Sequence, residues 1–291
     1  MRYVLAVAEE RNFTRAAERS HIVQSAMSHQ VKALEREIGA QLFARTSRRV
    51  ELTDAGAAFL PAARACLDAA DRAVTDALAA TGELRGTLTI GVIPTVTALD
   101  IPSTLGRFRQ AHPAVRIRLR GGGSDEFVTA IKASEMDIAV LGLPAGRPPR
   151  GVASRELARE QLVLVVSTRH RLAERRRVRP GDLAEETFVD FPEGSPGRAP
   201  SDLAFHEAGV HRDVAFEAMS ADLILDLVRN DLAIALLSPD VVPDDGALHT
   251  ITVVGGPRRI EHLAWDDFNP SPAATAFLDM LQTATAAPSA P

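Results

Sequence analysis

Apolar positions along the chain keep two rhythms, and the change between them divides it. From Gln24 to Ile38, the residues Met27, Val31, Leu34 and Ile38 recur at i, i+4, i+7 and i+11, which predicts an amphipathic helix with these four as one buried stripe. A shorter helix, FTRAAERS, precedes it. Asn12 is placed to cap that helix, and Ala16 and Ala17 are small enough to let a neighbouring helix approach closely. The run Ser20-His21-Ile22-Val23 breaks the two apart. Next, QLFARTSRRVELTDAG offers an apolar anchor (Leu42, Phe43), a basic turn (Arg45, Arg48, Arg49) and a short alternating strand (Val50, Leu52), and Thr53 is placed to cap a third helix. From Asp54 to about Thr81 the chain is alanine-rich and helical. Phe59, Ala63, Cys66, Ala70, Ala73 and Ala77 form a narrow apolar seam that a second copy would bury, with Cys66 a small core residue within it. Pro61 should kink this helix locally.

After a break at Gly82–Gly86 the rhythm changes. Short β-like runs at Thr87–Ile93, Val115–Leu119, Asp137–Leu143, Leu162–Val166, Thr187–Phe191, Ala233–Leu237 and Ile251–Val254 alternate with helical segments near Ala98–Ala111, Asp125–Ser134, Ser201–Ala208 and Ala221–Asn230. Alternation of this kind predicts parallel sheets covered by helices. The strands are too many for one compact sheet, so two small lobes joined by crossing strands fit better, with crossings near Ala158–Gln161 and Pro257–His262 and a last helix, Pro272–Thr283, returning to the first lobe. Only the tail Ala284–Pro291 has a composition that suggests disorder.

Charge sharpens the division. The net charge of -5 is by itself unfavourable to a nucleic-acid binder. Yet residues 1–52 hold nine basic against six acidic side chains, a surplus of +3, so the remainder carries -8. The single cysteine excludes an internal disulfide, and no Cys/His cluster has zinc spacing, so neither cofactor nor metal is expected. No apolar run reaches the roughly 18 residues of a membrane span, and the opening MRYVLAVAEE is too short and too soon acidic for a secretion signal, so the cytoplasm is expected.

The chemistry of the basic head lies on the polar face of the second helix. Gln24 and Ser25 open it, and Ser25, Ser28, His29, Lys32 and Arg36 share one face, short polar groups first and cations further along. In a DNA major groove such groups meet base edges and phosphates respectively, although an ordinary solvated face reads as well from this helix alone. The basic hairpin of Arg45, Arg48 and Arg49 beside the helix pair favours a wing on the backbone or in the minor groove over a solvated turn.

The run FTRAAERSHIVQSAMSHQVKALEREIGAQLFARTSRRVELTDAG closely resembles the N-terminal signature of LysR-type transcriptional regulators, nearly without gaps. The resemblance implies an α/β protein with an N-terminal winged helix-turn-helix (1–53), a long linker and dimerisation helix (54–81), and a two-lobed, periplasmic-binding-protein-like effector domain (87–283). Its first lobe would cover about 87–160 and 258–283, and its second about 161–257. The family implies double-stranded DNA as partner, a small-molecule effector, a homodimer commonly extended to a homotetramer, and RNA polymerase as a further candidate. Gln24–Ile38 becomes the recognition helix. Val23 and Ser25 depart from the capping Ser and first-turn Pro usual there, His29 stands where relatives often have Arg, and the chain starts a few residues late for the first helix to have its usual lead-in. Near RNDLAIALLSP, relatives usually carry Gly at the positions of Asp231 and Ala233, so Asn230 or Asp231 must make the helix-ending turn.

Open α/β sheets bind ligands at the carboxyl ends of their strands. Four stretches fall there and supply Thr95 and Thr97, Gly123 and Ser124, Pro192, and Ser220 as effector-binding candidates. Taken singly each hydroxyl reads as a helix cap; as a set they favour a pocket for a small anion, a carboxylate first. Enzymatic readings find no support. GGGS lacks both phosphate-loop spacings, EGSPG lacks the first glycine of a hydrolase elbow, and His206 and His211 are five apart, on different helix faces. A solute-binding protein of similar shape would need an export signal and no basic head. The Arg169–Arg179 run reads as a solvated loop rather than a partner patch.

Overall fold

Residues 1–45, 50–79 and 84–286 are described by this computed structural model, in two units, Met1–Glu83 and Leu84–Pro291. The first begins with α1 (Arg2–Glu10), α2 (Phe13–Arg19) and α3 (Gln24–Ile38). Asn12 caps α2, its side-chain oxygen accepting the N–H groups of Thr14 (2.8 Å) and Arg15 (3.1 Å). Gly39 ends α3 in the left-handed region, at φ 77°, where a side chain would be strained. Val4, Val7, Phe13, Ala16, Ala17, Met27, Val31, Leu42 and Phe43 form the core, with the Phe13 and Phe43 rings edge-to-face at 5.8 Å. The expected stripe on α3 is buried only over its first part. Met27 and Val31 are enclosed, Leu34 is half-buried, and Ile38, the last residue of the helix, is 41% exposed.

Strands β1 (Phe43–Arg45) and β2 (Val50–Leu52) pair antiparallel, Phe43 opposite Leu52 and Arg45 opposite Val50. Arg48 and Arg49 lie outside the described residues. The long helix α4 (Asp54–Ala79) contains Pro61. Thr53 caps it as expected, accepting the Gly56 N–H at 3.0 Å while donating to the Gln41 carbonyl at 2.6 Å. Of the predicted seam, Ala63 is buried and Phe59 half-buried, but Cys66, Ala70 and Ala73 are exposed. Cys66 was expected in a seam buried by a second copy; in the single chain, past Ala63 no described side chain of α4 is buried, because the helix has outrun its own core.

The second unit starts with β3 (Gly86–Val92), α5 (Ile101–Ala111), β4 (Val115–Gly121), α6 (Ser124–Lys132), β5 (Ile138–Pro144) and β6 (Ala153–Gln161). The chain then crosses to β7 (Val163–Ser167), β8 (Arg177–Val178), β9 (Thr187–Asp190), α7 (Ala199–Glu207), β10 (Asp213–Glu217), α8 (Ala221–Arg229), β11 (Ala235–Leu237) and β12 (Leu248–Val253). It returns through β13 (Arg258–Trp265) and α9 (Pro272–Ala286). The first lobe is the sheet β4-β3-β5-β13-β6, parallel from β4 to β5 and antiparallel at β13 and β6. One face packs Leu88, Phe108, Val140 and Phe277 beneath α5 and α9; the other packs Phe127, Ile131 and Leu141 beneath α6.

The second lobe departs from the all-parallel expectation. Its sheet β11-β7-β12-β8 places β7 antiparallel to both neighbours, with only β12 and β8 parallel. A parallel bridge between Phe188 and Ile234 joins this sheet to the parallel pair β9 and β10. Phe188 and Phe205 lie in the core on one face, Ile224 and Val228 in that on the other. Strands β6 and β13, expected only as crossings, are nine- and eight-residue strands paired with each other. Asp231 makes the turn after α8 at φ 60°, as the missing glycine required. The Leu232 N–H closes it on the Leu227 carbonyl, and the Ser167 hydroxyl donates to the Asp231 carboxylate at 3.0 Å. In the Arg169–Arg179 run, Arg171 pairs with the buried Glu186, so that part is anchored rather than loose. Helix α9 also continues to Ala286, into the segment read as tail.

His262 on β13 is 7% exposed, and its Nδ1 meets no hydrogen-bond partner. Burial holds its imidazole below the ordinary histidine range; Glu156 opposes this and Arg159 adds to it. Between the ordinary value of about 6.5 and the lower folded one, the unfolded chain takes up a proton that the folded chain refuses, so stability falls as pH falls. Thermal unfolding of the second unit should come progressively earlier below about pH 6.5, and His262→Leu should flatten that part of the profile. Superimposable pH profiles for parent and variant would remove the assignment.

Candidate nucleic-acid interface and effector cleft

Helix α3 presents Gln24, Ser25, His29, Lys32 and Arg36 exposed, with Ser28 half-buried beside them. His29, Lys32 and Arg36 line one open groove that reaches Gln41 and Phe43, so the cationic part of the helix and the first wing strand border the same space. The residues that fix this arrangement were not among those picked out from sequence. The Glu35 carboxylate, on the helix itself, accepts the N–H groups of Leu42 (2.9 Å) and Phe43 (3.2 Å), tying the wing strand to α3. Gly56 is a second such constraint, since a Cβ there would sit 2.1 Å from the Leu42 carbonyl oxygen. Both were legible only as an ordinary acid and an ordinary glycine in the first turn of a helix. Val23 begins α3 with extended backbone and no side-chain cap, as the substitution of the usual serine predicts. Arg45 closes β1, and residues 46–49 lie outside the described residues.

In the second unit the two lobes meet in a cleft lined from the first by Ile93–Thr95, Gly122–Ser124, Gly142 and Arg259, and from the second by Phe191, Pro192, Ser195–Gly197 and Met219. Of the predicted residues, Thr95, Gly123, Ser124 and Pro192 come together here, and Thr97 and Ser220 do not line it. Ser220 begins α8 exposed, with no capping bond from its side chain. The free space is about 40 Å³, where one water needs roughly 10–15 Å³. Pro196 of the second lobe would touch a Cβ built on Gly123 of the first at 3.6 Å, so the mouth is nearly shut.

The hydroxyls expected to face a ligand are largely committed within the protein. Ser124 is 1% exposed, donating to the Gly142 carbonyl (3.1 Å) and accepting the Gly142 N–H (3.0 Å). Thr97 gives its hydroxyl (2.9 Å) and its N–H (3.0 Å) to the Glu261 carboxylate, which also takes the Ala98 N–H at 3.1 Å. Thr95 accepts from Arg259 through both its hydroxyl and, at 2.9 Å, its carbonyl. Arg259 is the centre of this cluster. Its guanidinium also binds Glu160 (Nε at 2.6 Å) and Glu261 (2.9 Å), and Ser238 of the second lobe donates to Glu160. None of Glu160, Arg259, Glu261 or Ser238 was picked out from sequence. The signal was present in RRIEHLAW, a strand that carries a glutamate where an apolar residue belongs. Between the buried pairs, α6 starts at Ser124 with Gly123 as its cap residue, and a glycine has no side-chain oxygen to occupy the first N–H groups of the helix.

A basic, polar recognition-helix face beside a wing, in one chain with a two-lobed cleft, defines the class of ligand-responsive DNA-binding regulators. Sequence profiles agree: residues 1–57 match the bacterial regulatory helix-turn-helix protein of the lysR family, and residues 81–286 match the LysR substrate binding domain. The chain belongs to the LysR family of bacterial transcriptional regulators, and its function is regulation rather than catalysis. It is 32% identical over 244 residues to a probable hydrogen peroxide-inducible genes activator of Mycobacterium avium, covering 84% of this chain and 78% of that protein. Full-length CbnR complexed with its target DNA is similar at 25% identity and TM-score 0.68, covering 97% of each chain. A full-length OxyR variant from Pseudomonas aeruginosa shares the fold, at 24% identity and TM-score 0.73, over 97% of this chain and 93% of that one. No helix among the described residues is long and apolar enough to cross a membrane.

Because Arg259 compensates the buried Glu261 and the mostly buried Glu160, Arg259→Met should destabilise the second unit by roughly 3–5 kcal/mol. Denaturant unfolding followed for that unit checks this, and a midpoint equal to the parent's would contradict the reading of the cluster.

Proposed function

We propose that the chain acts in the bacterial cytoplasm as a homodimer, extended to a tetramer, that reads operator DNA through α3 and the β1–β2 wing and adjusts that binding to a small carboxylate held in the interlobe cleft. The roles follow the family. Gln24, Ser25, Ser28 and His29 face base edges, while Lys32, Arg45, Arg48 and Arg49 face phosphates. The exposed seam Cys66, Ala70 and Ala73 on α4 is the surface a second copy would cover. The observation that carries the DNA reading is the groove shared by His29, Lys32, Arg36 and the wing strand. Duplex binding should weaken with salt at a log–log slope near −5 if about six phosphates are contacted. Arg48→Ala should flatten that slope by about one, whereas His29→Ala should alter base preference and keep the slope. A parent slope near zero would remove the DNA reading.

The carboxylate reading rests on the uncapped start of α6 at Gly123 and Ser124, where helix N–H groups and the helix dipole favour negative charge. Arg259 adds little to it, being shared between two carboxylates already. With about 40 Å³ free, an effector of several carbons enters only when the lobes part or the loop at Pro192–Gly197 moves. Peroxide responsiveness does not transfer from the peroxide-inducible relatives by way of thiols. The only cysteine of the chain is Cys66 on α4, so the second unit has no thiol to oxidise. Isothermal titration with benzoate, succinate and citrate against their amides tests the cleft. Binding of at least one acid, lost about tenfold or more in its amide, is expected, and binding of the amides alone would end the carboxylate reading.

A further inference from the structure

The cleft loop between β9 and α7 supplies Phe191, Pro192, Ser195, Pro196 and Gly197 to the lining, and a continuous chain of charged groups runs from one end of it to the other. At the start, the Asp190 carboxylate accepts the Phe191 N–H at 2.8 Å and Arg212 Nη1 at 2.6 Å. Arg212 is buried, its guanidinium carbon 5.3 Å from the Phe188 and Phe205 rings, and its Nη2 donates to Asp202 at 2.6 Å. The same Asp202 oxygen accepts Arg198 Nε at 3.3 Å. Arg198 Nη1 donates to Glu217 at 2.8 Å, and that Glu217 oxygen accepts the Glu193 N–H at 3.1 Å. The circuit thus leaves the loop at Asp190 and re-enters it at Glu193.

Its two halves differ physically. The inner half, Asp190 with Arg212, has both side chains 3% exposed, and removing either partner would strand a buried charge. In the outer half Asp202 and Glu217 are 45% and 43% exposed, and Arg198 at 13% is the one cation joining them. Partly hydrated pairs add little to global stability. What Arg198 holds is local: the Glu217 carboxylate that receives the Glu193 N–H, and so the course of the loop from Pro192 to Gly197. Arg198 does not itself line the cleft.

We propose that Arg198 is a positioning residue for the cleft, setting the conformation of the loop at residues 191–198 and, through it, the effector selectivity of the chain. The selectivity part rests on reading the cleft as the effector site; the positioning part does not. The test is hydrogen–deuterium exchange on the full-length protein without ligand, for Arg198→Met, Glu217→Gln and Arg198→Lys. Amides of 191–198 should exchange about tenfold faster in Arg198→Met, less so in Glu217→Gln, and Arg198→Lys should recover part of the protection, with β7 and β12 unchanged. Unchanged exchange in the loop overturns the proposal, and so does faster exchange spread evenly over the second lobe, which would mark a merely structural role. Titration of parent and Arg198→Met with benzoate, succinate and citrate then reads selectivity. A change of about fivefold or more in the ratio of two affinities supports it, and an unchanged ratio overturns that part. If the parent binds none of the three, the carboxylate reading of the cleft fails, while the exchange result still decides for or against Arg198.

Discussion

A guanidinium shared between two carboxylates governs the effector half of this protein. Arg259 sits on β13, the strand by which the chain returns to the first lobe, and Glu160 lies on β6, by which it leaves. Thr95 closes the first lobe around it, and Ser238 brings in the second. Removing such charges from water is expensive, and the arrangement persists because each charged group finds partners. The crossing strands are thereby tied together where the lobes join, next to the irregularity in their pairing between Glu261 and His262. The cleft inherits its floor from that cluster, and its walls from loops that leave the sheets nearby.

The same cluster explains why the hydroxyls near the cleft are poor guides to a ligand. Thr95 and Thr97 were singled out because they come after a strand in an open sheet, a sound reason to expect them near a ligand. The structure turns them to intramolecular partners instead, and leaves the glycine-capped start of α6 as the polar feature without a committed side chain. Polar side chains at strand ends have two uses, and spacing along the sequence does not separate them. What does is the presence of a buried opposite partner, here Glu261, more than a hundred and fifty residues away in the chain.

Legibility tracked locality. Helix α3 could be read to its end residues, because a stripe of 3.6-residue period stops at a glycine free to turn left-handed. The wing was legible from three arginines between two apolar anchors. Strands β6 and β13 were not, since ASRELAREQ and RRIEHLAW interrupt the apolar alternation with charges whose partners, Thr95, Thr97 and Ser238 among them, lie far away in the chain. The antiparallel second sheet was hidden for a related reason: β7 pairs with β11 and β12, which come much later in the chain, and the direction of so distant a pairing is not written in the strand itself. Cys66 shows the limit from the other side. A helical seam reveals that something covers it, but not whether that cover comes from the same chain.

The contact of Gly56 with the Leu42 carbonyl has a mechanical consequence. Together with Thr53, which bonds to Gln41 on one side and Gly56 on the other, it leaves no compliant joint between the base of the wing and the first turn of α4. Glu35 removes the remaining slack between the wing and α3. The long helix and the reading head therefore behave as a lever and its jaw cut from one piece. A change in the direction of the first turn of α4 is passed to the base of the wing and, through Glu35, to the helix that carries His29 and Lys32.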